Sequence, residues 1–331
     1  MSLDDDIRTE CGIGAVRLLK GYDSKNCENP SEMSEIALDA ICDASARSKD
    51  EQFLSMLKNS ATCSALQCGV FDRIYPVGGA TNFAYTIAVI QRNRGDLNTG
   101  IVRLRREERD GRTETYLDKR KGLGPPKRAF GIETKEDLKK FLENFESEIC
   151  IVHNMYSTTG ENRDSEEILR DAQPFLVQSS ETYQNFSIAF NGNICNYGDL
   201  RRKMIEERPN ICFRSSKDTE LIAILISDEL EKIGKLPSDK DFVSIFSKLS
   251  EKLEGGYSII YLDARGTLIC ARDPAGYRPL CFGYNEHLFL AASESCALDK
   301  IFYSLNKPSQ IFFVEPGEIV ISRGEKHLRD L

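Results

Sequence analysis

The chain has 331 residues and a formal net charge of −8; 40% of its residues are hydrophobic and 29% are charged. This length allows one large domain or two ordinary ones with buried cores. The acidic balance argues against a nucleic-acid partner, because phosphate binding depends on clustered positive charge. No apolar run reaches the roughly 18 residues of a membrane-spanning helix, so we expect a cytoplasmic protein with no membrane partner.

The first informative element is Cys11, which opens the run CGIGAV and follows ten mostly polar residues. If residues 1–10 are removed, the chain begins with a cysteine beside a free α-amino group. The pKa of such a group, about 7.7 to 8, lets it take the thiol proton near neutral pH. While Glu10 is attached, this nitrogen is an amide and cannot act as a base. We therefore interpret residues 1–10 as a propeptide-like leader; the alternative is a buried cysteine at a strand edge.

Helix signals recur along the chain. One helix is predicted near Asn29, where a proline suits the first turn. Two more are predicted after Thr134 and Ser238, each of which has an aspartate three residues later and apolar residues at i, i+3, i+4 and i+7. A further helix is predicted to begin at Asp218.

Short apolar runs from residue 149 onward predict β-strands at residues 149–153, 185–190, 257–262, 267–271, 288–292 and 318–322. The short, glycine-containing connection 263–266 predicts a hairpin, and hence antiparallel pairing. The basic stretch 103–128 is interrupted by acidic residues, and we interpret it as a solvated hairpin or loop. Antiparallel strands with covering helices indicate an α+β fold layered as helix, sheet, sheet, helix.

The eleven cysteines are odd in number and scattered, and no CxxC pair occurs among them. This spacing disfavours a zinc site, an iron-sulfur cluster or a disulfide framework. In a reducing compartment most of these residues are expected to be small buried apolar side chains. We therefore expect no metal and no cofactor.

Eight blocks occur in a fixed order: CGIGAV (11–16), QRNRGDLNTGI (91–101), MYSTTG (155–160), FNGN (190–193), SSKDTE (215–220), RDPAGYRPL (272–280), ASESCALD (292–299) and VEPGE (314–318). In this order they resemble the class II glutamine amidotransferase domains, and most closely the glutaminase domain of amidophosphoribosyltransferase. The resemblance covers Cys11 to about Val320. It implies an N-terminal-nucleophile hydrolase fold over residues 11–331, which is a four-layer αββα sandwich of two antiparallel sheets.

The resemblance assigns the catalytic residues Cys11, Asn191 and Gly192. Cys11 would attack the side-chain amide of glutamine, form a γ-glutamyl thioester and release ammonia. Asn191, through its side chain, and Gly192, through its backbone N–H, would stabilise the negative charge on the amide oxygen. The alternative for Asn191 and Gly192 is an ordinary hairpin turn, for which the Asn-Gly pair is favoured.

The resemblance also implies a substrate-binding set of Arg94, Tyr156 and Asp218. Asp218 would pair with the α-ammonium of glutamine, although it is also well placed to cap the following helix. Arg94 would line the pocket near the nucleophile, and a surface arginine is the alternative.

Three positions depart from the family pattern. Met155 stands where an arginine clamps the α-carboxylate of glutamine, and methionine cannot make that charge-assisted pair. Phe190 and Asn93 stand where the family has histidines. Either another cation, such as Arg94 or Arg163, binds the carboxylate, or glutamine binds weakly, or the ligand has no carboxylate there.

Two segments of the chain differ in length from the family pattern. In all, 82 residues separate Cys11 from Arg94, a longer span than in the family, so residues 22–79 are predicted to be an insertion. After Val320 the chain ends at Leu331, which leaves no room for a phosphoribosyltransferase domain. We therefore expect an ammonia-accepting synthase as a partner subunit, as in split glutamate synthases; a truncated or divergent amidophosphoribosyltransferase is the other precedent.

The leading hypothesis is a transferase subunit that hydrolyses L-glutamine to glutamate and ammonia. The alternatives are a catalytically impaired ligand-binding or regulatory subunit with the same fold, and an amidase that acts on another substrate. The sequence leaves open whether the protein is a homo-oligomer.

Overall fold

The computed structural model describes residues 11–19, 78–156, 164–179, 184–285, 287–305, 309–324 and 326–330. The strands in these residues are β1 (Gly12–Leu18), β2 (Asn98–Arg109), β3 (Arg112–Leu123), β4 (Ile149–Met155), β5 (Phe175–Val177), β6 (Phe186–Ile194), β7 (Gly255–Asp263), β8 (Leu268–Arg272), β9 (Cys281–Tyr284), β10 (Leu288–Ala292), β11 (Gln310–Phe313), β12 (Ile319–Arg323) and β13 (Lys326–Asp330). The helices are α1 (Ala80–Ile90), α2 (Pro126–Ala129), α3 (Lys135–Asn144), α4 (Ser165–Arg170), α5 (Tyr197–Glu207), α6 (Asp218–Ile233), α7 (Asp239–Lys252) and α8 (Ser295–Ser304).

The strands form two antiparallel sheets. The first has the order β11-β9-β10-β1-β4-β2-β3, and the second has the order β13-β12-β8-β7-β6-β5. In the first sheet β1 lies between β10 and β4, and the pairs Gly12↔Asn154 and Ile13↔His153 set its register against β4. The beginning of β1 is thus fixed against β4, and β10 joins it on the other side from Gly14 onward.

Three apolar clusters separate the layers. One packs α1, α3 and α8 against the outer face of the first sheet. A second fills the space between the sheets with residues such as Ile13, Ile151 and Ile260. A third packs α6 and α7 against the outer face of the second sheet. These layers confirm the predicted α+β sandwich of two antiparallel sheets, in the order helix, sheet, sheet, helix.

The predicted helix starts at Thr134 and Ser238 are both present as capping boxes. The backbone N–H of Asp137 donates to Thr134 Oγ1 at 3.1 Å, and the backbone N–H of Asp241 donates to Ser238 Oγ at 3.2 Å. Each side chain satisfies an N–H group that the first helical turn leaves without a partner. Helices α3 and α7 therefore begin where local chemistry predicts.

The basic stretch 103–128 contains a hairpin, as predicted. Strands β2 and β3 pair along their whole length, from Asn98↔Leu123 to Arg109↔Arg112. The predicted helix near Asn29 and the leader 1–10 lie outside the described residues, as does almost all of the predicted insertion 22–79, so these stay predictions. Among the described residues no helix is long and apolar enough to cross a membrane.

Candidate active site

Cys11 immediately precedes β1, at the end of the sandwich where β4 and β6 also end. Its backbone N–H donates to Asn191 Oδ1 at 3.1 Å, which connects the first sheet to the second. Its carbonyl oxygen accepts from Arg94 Nε at 3.2 Å. The next residue is a glycine because the chain passes close to its neighbours here: a Cβ atom on Gly12 would lie 3.2 Å from the Gln91 Cβ atom and 3.4 Å from that of Arg94.

Arg94 is buried and already has partners. It ends the short 3₁₀ turn Gln91–Arg94, and its Nη1 atom forms an ion pair with Glu294 at 3.1 Å. Asn93, where the family has a histidine, also donates to Glu294, at 3.3 Å. Arg94 therefore holds the backbone of Cys11 at its carbonyl oxygen, and its side chain is not a free surface arginine.

The thiol of Cys11 has surroundings that keep it protonated. Burial raises its pKa above the ordinary cysteine value, and the carboxylate of Asp218 adds to this effect. The backbone N–H of Tyr156 donates to the sulfur, and with the cations Lys217 and Arg94 it acts in the opposite direction without cancelling the rise. A thiol with a raised pKa needs a base close by before it can act as a nucleophile.

Asn191 and Gly192 lie within strand β6, and the alternative interpretation of the pair as a hairpin turn is wrong. Strand β6 continues through both residues and pairs with β7, with Asn191 opposite Ser258 and Gly192 opposite Tyr257. The Asn-Gly preference for turns is local, whereas the pairing partner here lies more than 60 residues away in the chain. The Nδ2 atom of Asn191 is buried and has no hydrogen-bond partner in the part of the chain that the structure describes.

The backbone N–H of Gly192 lies on an open edge of β6. Alternate residues of a strand direct their backbone groups to opposite sides. Tyr257, opposite Gly192, exchanges its backbone hydrogen bonds with Asp273 instead, so Gly192 N–H faces away from β7. On that other side, strand β5 pairs with β6 only as far as Ile188. Within the described residues, this N–H group is therefore a donor without an acceptor.

Asp218 lies close to the same edge. The backbone N–H of Ile194, two residues beyond Gly192, donates to its carboxylate. Burial raises the pKa of Asp218 to about 6, although the N–H groups of Ile194 and Thr219 oppose the rise. The interpretation of Asp218 as the cap of its helix is wrong: the cap position is Lys217, and Asp218 is the first helical residue.

The side chains of Met155 and Phe190 are buried in the protein. Met155 is 6% exposed, and its sulfur accepts from Asn98 Nδ2 at 3.1 Å. Phe190 is 2% exposed and stacks on Tyr257, with ring centroids 6.4 Å apart. Arg163 lies outside the described residues.

The structure thus brings together Cys11, Arg94, Asn191 and Asp218, with the backbone groups of Tyr156 and Gly192. Sequence reasoning missed Lys217, although its block SSKDTE was identified and its position beside Asp218 is a usable signal. It also missed Glu294, in the block ASESCALD.

Among the described residues, no group of three or more histidine, cysteine or acidic side chains could hold a metal ion.

Comparisons with known proteins agree with this geometry. A family described as a glutamine amidotransferase domain matches residues 163–300. An amidophosphoribosyltransferase of Methanocaldococcus jannaschii is 34% identical over 259 residues, which are 76% of this chain and 48% of that protein. One from Archaeoglobus fulgidus is 30% identical over 256 residues, 76% of this chain and 49% of that protein. Among solved structures, a glutamine phosphoribosylpyrophosphate amidotransferase from B. subtilis has a TM-score of 0.57 and 25% identity, and the match covers 77% of this chain and 47% of that chain.

The two-sheet sandwich, the cysteine next to β1 and these similarities identify a class II glutamine amidotransferase domain in this chain, with an N-terminal-nucleophile hydrolase fold. Within that family its similarity is to amidophosphoribosyltransferases. The chain spans about half the length of the curated relatives that it matches.

Proposed function

We propose that this chain hydrolyses L-glutamine to glutamate and ammonia through a thioester on Cys11. The observation that carries the proposal is the contact between Cys11 and Asn191, a residue that, with Gly192, supplies two hydrogen-bond donors without an acceptor. Cys11 N contacts Asn191 Oδ1 at 3.1 Å, while Asn191 Nδ2 and the Gly192 N–H have no acceptor among the described residues. A buried donor without an acceptor, such as Asn191 Nδ2, is costly, and an oxyanion would accept from it and from the N–H of the half-buried Gly192.

The chemistry begins once Cys11 is the first residue. Its α-amino group takes the proton from Sγ, and the sulfur forms a bond to the amide carbon of glutamine. The electron pair of the carbonyl moves onto oxygen, where Asn191 Nδ2 and Gly192 N–H donate to it. Collapse of this intermediate breaks the carbon–nitrogen bond. The departing nitrogen takes the proton from the α-ammonium and leaves as ammonia; water then hydrolyses the thioester to glutamate and restores the thiol.

The amino-acid end of glutamine needs an anion and a cation. Asp218 is the anion that we propose for the α-ammonium. Among the described residues, Met155 contacts Asn98 and Arg94 pairs with Glu294. For the α-carboxylate we propose Lys217 as the cation. Lys217 lies close enough to lower the pKa of Cys11, and it directly precedes Asp218, the first residue of α6.

We further propose that the ammonia passes to a synthase, in a partner subunit or in a longer chain, because free ammonia is of use only beside an acceptor site. The similarity to amidophosphoribosyltransferases supports this proposal. Free thiols at all described cysteines, Cys11 included, are consistent with a reducing compartment such as the cytoplasm. The transfer is tested by mixing the chain with an amidophosphoribosyltransferase that lacks its own glutaminase cysteine; no glutamine-dependent product would contradict it.

One observation favours a second function. Because Met155 is buried where a clamp would be needed, the chain could bind its ligand without turning it over and act as a regulatory subunit. Such a protein would bind L-glutamine, or a related molecule without a carboxylate, and release no ammonia even with a free Cys11. An amidase for a different substrate would instead hydrolyse amides that lack an α-carboxylate.

The test measures ammonia and glutamate released from L-glutamine by the full chain and by a chain that begins at Cys11. We expect activity in the second form and its loss to the uncatalysed rate in Cys11→Ala, while Cys212→Ala, which removes an exposed thiol, stays active. Equal activity in Cys11→Ala would overturn the assignment. The intact mass of protein made in cells tests the leader, since maturation predicts the loss of residues 1–10.

A further inference from the structure

The open edge of β6 depends on how its neighbour β5 ends. In the antiparallel register Phe175 lies opposite Ile188, so a longer β5 would place residue 173 opposite Phe190 and residue 171 opposite Gly192. Such a strand would cover the Gly192 N–H. Instead, the chain leaves the sheet before Phe175, and side chains take over the hydrogen bonds that a strand would have made.

These side chains hold the backbone of Phe190 at both of its polar groups. The N–H of Phe190 donates to Gln173 Oε1 at 2.8 Å, and its carbonyl oxygen lies 3.1 Å from His153 Nε2. A carbonyl can only accept, so this nitrogen of His153 carries the proton. Burial lowers the pKa of His153 to about 4, and the ring is therefore neutral at pH 7. Gln173 replaces the missing strand, while His153 reaches Phe190 from β4 in the opposite sheet.

The packing around this arrangement leaves little freedom. His153 is fully buried and Gln173 is 6% exposed. Gly100, which pairs with His153 across β2 and β4, has no room for a side chain, because a Cβ atom there would overlap the carbonyl oxygen of Gln173. A buried peptide group that lost either partner would be left unsatisfied or would draw the strand toward another acceptor.

We infer that Gln173 and His153 are positioning residues that hold Phe190 so that β6 keeps its edge open and presents the Gly192 N–H to the substrate. They act through the backbone and touch neither the thiol nor the substrate. The inference rests on the proposed function, because it is defined for an oxyanion formed at Gly192. It predicts that their loss lowers the rate of the chemical step more than it lowers substrate binding.

The test compares two pairs of variants. Gln173→Met removes the acceptor at nearly constant length, and Gln173→Glu keeps an acceptor oxygen. His153→Leu removes the donor, and His153→Gln keeps one. The control is Ser187→Ala, which removes another side-chain hydrogen bond between β5 and β6, from Ser187 Oγ to the carbonyl oxygen of Phe175 at 3.0 Å. Each variant is measured in the form of the chain in which the unsubstituted protein hydrolyses L-glutamine.

Three readouts separate a positioning role from a structural one: kcat and KM for L-glutamine, the rate at which iodoacetamide alkylates Cys11, and the thermal unfolding midpoint. We expect Gln173→Met and His153→Leu to lower kcat about tenfold or more, since a small misplacement of reacting groups can cost as much as 10²-fold. KM and the alkylation rate, which need no oxyanion donor, should stay close to the unsubstituted values. Gln173→Glu and His153→Gln should recover much of kcat, and Ser187→Ala should change only the unfolding midpoint.

Two outcomes would overturn the inference while the proposed function stands. One is an unchanged kcat in both Gln173→Met and His153→Leu. The other is a joint fall of kcat and the alkylation rate in proportion to lost stability, with no recovery in the conservative variants. If the unsubstituted protein hydrolyses no L-glutamine in either form, the proposed function fails and the inference fails with it.

Discussion

The two halves of the candidate site differ in the hydrogen-bond partners that their side chains already have. The oxyanion half consists of Cys11, Asn191 and Gly192. There, the Asn191 Nδ2 atom is buried without an acceptor among the described residues, while the Oδ1 atom of the same amide accepts from the backbone N–H of Cys11. The recognition half consists of Met155, Lys217 and Asp218. There, the position expected to clamp a carboxylate holds a buried methionine bonded to Asn98.

This difference follows from the elements that carry each half. The oxyanion half is built from the backbone of β6 and from one amide fixed between two sheets, so few substitutions would leave it intact. The recognition half uses side chains from β4, from the cap position of α6 and from its first residue. These can change without altering the sheets, so a contact in the recognition half can be replaced while the oxyanion half stays intact.

In the oxyanion half, a large loss of rate is predicted for Asn191→Ala. Loss of one such donor typically lowers kcat by about 10²- to 10³-fold, and we expect KM for L-glutamine to change far less. Ammonia release under saturating glutamine measures this effect. Asn196→Ala is the matched control, because it also removes a hydrogen-bonded asparagine near the end of β6. Equal losses in the two variants would mean that Asn191 serves stability alone.

A smaller effect on binding is predicted for Lys217→Met in the recognition half. A hydrogen bond to a charged group is worth roughly 1.5 to 3 kcal/mol, so we expect KM for L-glutamine to rise about tenfold or more with a modest change in kcat. The control is Lys203→Met on α5, whose side chain is 71% exposed. An unchanged KM would place the carboxylate contact elsewhere, and recovery of KM by Met155→Arg in the Lys217→Met background would place it at the original clamp position.

The parts of the fold that sequence predicts are those decided by neighbouring residues. The helix starts at Thr134 and Ser238 need only a hydroxyl and an aspartate three residues later, and both form as expected. Short apolar runs also locate the core strands, although β6 and β7 extend beyond the predicted bounds.

The parts that sequence misses depend on contacts between distant segments. The Asn-Gly pair at 191–192 has turn chemistry, but its pairing with β7 overrides that local preference. No sequence pattern predicts the hydrogen bond between Gln173 and Phe190, because this bond forms only where strand β5 ends early. The ion pair between Arg94 and Glu294 joins residues 200 positions apart. Because of it, Arg94 holds the backbone of Cys11 instead of serving as the candidate carboxylate clamp.

The pH dependence of glutamine hydrolysis distinguishes the two halves, because a different group titrates in each. The oxyanion half needs the α-amino group of a matured Cys11 to be neutral, so log kcat/KM should fall by one per pH unit below the pKa of that group, about 7.7 to 8. Because the pKa of Asp218 is raised to about 6, its carboxylate becomes neutral below that pH and no longer attracts the α-ammonium of glutamine.

The slope should therefore steepen from one to two near pH 6, which adds about a tenfold loss in kcat/KM at pH 5. Asp218→Asn should have a lower kcat/KM throughout and should retain a slope of one across this range, because the second proton has nowhere to bind. Asp228→Asn, which removes a carboxylate paired with Arg208 on the surface of α6, should keep the break. A break near pH 6 that survives in Asp218→Asn would assign this titration, and with it the α-ammonium contact, to a different residue.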